Sequence, residues 1–171
     1  PSTNEWEEEA VAPMSTARTY VGAAVLDGKL YAVGGMSEAD DMTSNLVERY
    51  DLAAKLWETV APMAEARQFH AVAGLDSKLY AVGGLDDDNG RLISVERYDQ
   101  ASDAWEAVAP MAEARGAPAV AALDGKLYVA GGLGTGHNPG WILSSVERYD
   151  LALGAWEAVA SWRWLRWRRR G

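Results

Sequence analysis

Cysteine is absent from the 171 residues. That excludes a disulfide framework, a thiolate metal site and a cysteine nucleophile, and it fits a reducing, cytoplasmic compartment. Histidine is scarce, and the neighbours of His70 and His137 do not match a metal-ligand spacing. The opening "PSTNEWEEEAVAP" has neither the basic n-region nor the apolar h-region of a signal peptide. It also starts without Met, as a fragment would. No apolar run approaches the roughly 20 residues that a membrane helix needs, so no membrane partner is expected. Serine-nucleophile, phosphate-loop and zinc motifs are lacking. The run "LDDDNG" at 85–90 puts Gly90 where an EF-hand needs a ligand. An acidic turn made by Asp88, Asn89 and Gly90 accounts for it better. No cofactor is expected, and the reading is not an enzyme.

Charge is lopsided. The formal net charge is −9, yet residues 161–171, "SWRWLRWRRRG", carry five Arg and no acid. Residues 1–160 hold 11 basic and 25 acidic residues, a net of −14. An acidic body does not suit nucleic-acid binding through the fold. The tail is expected to lie outside the fold. Its Arg and Trp would suit anionic surfaces, but eleven residues supply no second anchor.

What is present in abundance is repetition. "DGKLYAVGG" at 27–35 returns as "DSKLYAVGG" and then as "DGKLYVAGG". "VERYD" stands unchanged at 47–51, 95–99 and 146–150. Trp6, Trp57, Trp105 and Trp156 keep the same step of about 50, as do Met14, Met63 and Met111. From Arg18, Arg67 or Arg115 to the next Gly-Gly is always 16 residues. The segment between Gly-Gly and "VERYD" varies: 36–46, 85–94 and 133–145. Fixed spacing marks a framework, and variable spacing marks surface loops.

Each repeat resolves into four short strands. Asp27-Gly28 between apolar runs is a hairpin signal, because both residues accept positive φ. The second copy has Asp76-Ser77, and serine accepts positive φ less readily, so a different turn is expected there. The Gly-Gly pairs close strands rather than open helices, so they are not nucleotide cradles. They suggest a bend near the centre of the assembly. If the Arg of "VERYD" is buried, it needs a carboxylate.

The pattern "LDGKLYAVGG…VERYD…W" resembles the kelch repeat. The connecting "WETVAPMAEAR" and "WEAVAPMAEAR" resemble the kelch domains of Kelch-like BTB proteins. The resemblance covers residues 4–160 and implies an all-β propeller of four-stranded antiparallel blades. Three blades are expected, at 14–62, 63–110 and 111–160. Residues 1–13 would form the outer strand of a preceding or closing blade. The family usually has six blades, so two such chains could pair as a homodimer that completes a ring. A fragment of a longer propeller is the alternative.

The resemblance implies a protein-interaction module, with substrate recognition for a cullin-type ubiquitin ligase as the expected biology. An actin-associated scaffold is one alternative, and a kelch-fold enzyme such as a sugar isomerase or oxidase is another. The oxidase related to galactose oxidase needs a cysteine cross-link that this chain cannot make. In Kelch-like proteins, residues at the matching Arg positions can line a pocket for an acidic peptide. On that match the partner-binding candidates are Arg18, Arg67 and Arg115, with Tyr20, Phe69 and His70 beside them. Arginine binds carboxylates bidentately. The same arginines could instead pair internally with Glu of "VERYD" or with Glu65 and Glu113. Trp141 and Ile142 in the longest loop are anchor types for an interface. Loop 36–46 carries Glu38, Asp40 and Asp41, which would repel an acidic ligand.

Overall fold

A computed structural model describes residues 12–135 and 142–159. The first repeat forms a sheet from β2 (Gly22–Leu26), β3 (Lys29–Val33), β5 (Val47–Asp51) and β6 (Leu56–Val60), each antiparallel to the next. The second uses β7 (Ala71–Leu75), β8 (Lys78–Val82), β9 (Val95–Asp99) and β10 (Ala104–Val108). The third uses β11 (Ala119–Leu123), β12 (Lys126–Ala130), β13 (Val146–Asp150) and β14 (Ala155–Ala158). Two short strands, β1 (Arg18–Thr19) and β4 (Met36–Ser37), pair beside the first sheet. The described chain is all-β: three blades of a propeller that do not close into a ring.

The register explains the repeated pattern. In the first blade Tyr31 stands opposite Arg49, and Tyr50 opposite Trp57. Alternation along a strand sends successive side chains to opposite faces. In β8, Leu79 and Ala81 therefore join Tyr31, Val33 and Val47 in one buried cluster. Tyr80 and Val82 join Leu127, Val129 and Tyr149 in the next. Both faces of a middle blade are buried, which is why these strands read as nearly continuous apolar runs. Trp57, Trp105 and Trp156 each donate the indole N–H to the carbonyl of Ala12, Ala61 or Ala109. Each of these carbonyls ends the segment before the linker, so the indoles tie every blade to what precedes it.

Two local expectations change. Ser77 takes φ 53, after Asp76 at φ 51, so the Asp-Ser turn has the same left-handed form as Asp27-Gly28. The flanking strands, paired up to Leu75 and Lys78, impose that turn on serine despite its preference. Within "VERYD", burial falls on the glutamate rather than the arginine. Glu48, Glu96 and Glu147 are buried, whereas Arg49, Arg97 and Arg148 are part-exposed and pair with Glu58, Glu106 and Glu157 across the outer strand.

Candidate loop face

Linker and long loop meet at one end of each blade. Thr19 pairs with Met36, Gln68 with Leu85, and Gly116 with Leu133. The variable loops and the Arg-bearing linkers therefore share one face. The hairpin turns at Asp27, Asp76 and Asp124 lie at the other end of the strands.

Under this face each linker arginine is buried. Arg18 donates to the carbonyls of Gly34 (2.6 Å) and Leu46 (2.8 Å) and to Glu48 (2.7 Å). Arg67 donates to the Gly83 carbonyl (2.8 Å) and to Glu96 (2.8 Å), with Glu65 3.1 Å away. Arg115 repeats this with Gly131 and Glu147. The three side chains have no solvent exposure. Of the two uses that the sequence leaves open for these arginines, the geometry has the internal one. Each glutamate also accepts linker N–H groups: Ser15 on Glu48, Ala64 on Glu96 and Ala112 on Glu147. Burial pushes Glu48 up, but the Ser15 hydrogen bonds and Arg18 outweigh it and hold the carboxyl below its usual range. Arginine and glutamate thus lock linker to blade. The constant 16-residue step follows, since the guanidinium must reach the carbonyl of the first Gly.

Above the arginines the surface is different. Tyr20 and Phe69, each two residues past an Arg, stack with ring centroids 3.8 Å apart. Tyr20 is 49% exposed. Both occupy left-handed backbone (φ 54 and 49), as does Ala117 (φ 48) at the third equivalent position. The framework imposes this bend in every repeat, and Ala117 shows that the bend needs no aromatic ring. Met42, Ile93, Leu133 and Ile142 are exposed on the same loops. The remainder is acidic. Glu38, Asp40, Asp41, Asp87 and Asp88 are exposed, and Asp87 accepts the Thr43 N–H at 2.6 Å, joining two loops. Asp86 organises its own turn by accepting N–H from Asp88 and Gly90. Apart from the buried Arg18, Arg67 and Arg115 and the buried His70, Arg91 is the one cation on these loops and linkers among the described residues.

His70 lies beneath Phe69, 8% exposed, against Gly22 and Gly34. An added Cβ at Gly22 would lie 2.6 Å from its Nε2. Burial pushes its pKa down to about 3, and the charges of Arg67 and Arg18 act in the same direction. It is a neutral wedge between blades and presents little surface. Trp141 and His137 fall outside the described residues. Among the described residues no cluster of three or more His, Cys, Asp or Glu could hold a metal.

Three copies of the Kelch motif match the chain, at residues 17–64, 66–112 and 114–161. The chain belongs to the kelch-repeat family. Human Kelch-like protein 33 is 42% identical over 57 residues, covering 33% of this chain and 10% of that protein. Human Kelch-like protein 23 is 36% identical over 58 residues, covering 34% and 10%. The kelch chain thus spans about a tenth of each relative in these matches. The Tyr20–Phe69 stack escaped the sequence reading as a pair. Its signal was the equal offset from Arg18 and Arg67, which places the two rings on adjacent blades.

Proposed function

We propose that this kelch protein is a non-enzymatic protein-interaction module whose loop face receives a partner chain. The Tyr20–Phe69 stack, with Tyr20 exposed and Phe69 part-buried, carries this reading. It is an aromatic pair on two adjacent linkers, and Met42 and Ile93 are exposed on the loops of the same face. Aromatic anchors surrounded by a polar rim are the usual build of a protein interface. Kinship with Kelch-like proteins extends the proposal to substrate recognition for a cullin-type ubiquitin ligase. A BTB-coding segment in the same gene would support that extension.

Peptide-library selection against the full chain tests the reading. Enriched peptides should lose binding to Tyr20→Ala/Phe69→Ala and keep it with Asp27→Lys on the opposite face. No enrichment, or loss through the hairpin face alone, would refute it.

A further inference from the structure

Resting on that interaction reading, we infer that the loop face selects a basic peptide segment, with a Lys or Arg over the Tyr20–Phe69 platform and its neighbours held by the acidic loops. The linker arginines that would favour an acidic ligand are out of reach, because Arg18, Arg67 and Arg115 are buried and bound to Glu48, Glu96 and Glu147, which leaves Arg91 as the one part-exposed cation of this face among the described residues. The carboxylates of Glu38, Asp40, Asp41 and Asp88 stand at the surface instead. Their placement is structural. Glu38 donates its N–H to Ala17, three residues before Tyr20. Gln68, next to Phe69, is bonded both ways to Leu85, next to Asp86. Each acidic loop is therefore stitched to the linker that carries one of the rings. An aromatic face attracts a cation through its quadrupole, and a rim of one sign draws in and orients a partner of the other. Nucleic acid and anionic lipid carry the sign this face repels.

The test is fluorescence anisotropy with the full chain in 150 mM NaCl. Two labelled eleven-residue peptides are compared, one alternating Arg with Leu and Trp, the other with Glu for every Arg. The chain's own residues 161–171 carry five Arg, a basic segment of the kind being tested. The titration is therefore repeated with those five changed to Gln.

The Arg peptide should bind at least tenfold more tightly than the Glu peptide. Asp40→Lys/Asp41→Lys should weaken it tenfold or more, and so should Tyr20→Ala/Phe69→Ala. Asp76→Lys/Asp124→Lys on the far face should leave it unchanged, which separates a site from bulk charge. Preference for the Glu peptide, equal weakening by the far-face pair, or no binding of the Arg peptide would each overturn the inference. Acidic sequences emerging from the library selection would sink this inference and leave the interaction module standing.

Discussion

Arg67 Nη2 lies 2.8 Å from Glu96 Oε1, and the guanidinium has no contact with solvent. The arginine comes from a linker and the glutamate from the third strand of the following blade. One ion pair therefore fixes where each blade begins. A buried pair is weak evidence for net stability, but breaking one side leaves an uncompensated charge. Arg67→Ala should cost about 3–5 kcal/mol. Arg97→Ala, whose partner Glu106 is 57% exposed, should cost less than about 1 kcal/mol. Urea midpoints of the two variants check this. Equal losses would mean that the buried pair has no special role.

His70 makes the protein acid-sensitive in a defined window. The fold lowers its pKa from 6.5 to about 3, so the native state holds the neutral ring and the unfolded chain takes up a proton. The stability that this shift contributes is complete above pH 6.5 and falls as pH drops towards 3. The slope is at most about 1.4 kcal/mol per pH unit. Glu48 adds acid sensitivity in the same direction, but only below its ordinary 4.5. Between pH 6.5 and 5 the loss should therefore vanish in His70→Val, a change that copies Val21 at the equivalent place. Thermal melts across that range decide it.

Ser77 is held at φ 53 in a turn where the other two repeats have glycine. Left-handed backbone costs a side chain roughly 1–2 kcal/mol, and glycine gives back part of that in chain entropy. Ser77→Gly should stabilise by about 0.5–1 kcal/mol, raising the melting temperature by about 1–4 °C. An unchanged or lowered melt would count against the strain.

Not every glycine here is equally necessary. A Cβ at Gly84 (φ 106) would sit 2.7 Å from the Gln68 carbonyl oxygen, whereas one at Gly28 would meet nothing within 4 Å. Gly84→Ala should lose about 3 kcal/mol, and Gly28→Ala about 1 kcal/mol. Chemical denaturation of both variants tests the ranking.

Much of the fold was legible because a repeat states its framework three times. The Asp-Gly turns, the apolar runs and the paired glycines are local signals, and the runs and glycine pairs had three chances to be read where the Asp-Gly turn had two. The destination of the buried charge was less legible. "VERYD" offers one acid and one base side by side, and alternation sends them to opposite faces, but only the neighbouring linker shows that Glu96 faces inward. Ser77 misled for a related reason. Turn preference is a local energy of about 1 kcal/mol, and the strands on either side overrule it.

The sequence by itself determined the blade count, the strand order and which segments are loops, because these follow from spacing and alternation along the chain. Tertiary structure alone decided what the loop face presents. Arg18, Arg67 and Arg115 lie on the linkers of that face, yet each turns inward to a carboxylate 29 or more residues away. Tyr20 and Phe69, 49 positions apart, stack only because adjacent blades bring equivalent positions side by side. A contact between repeats depends on the angle between blades, and one repeat's sequence does not encode that angle.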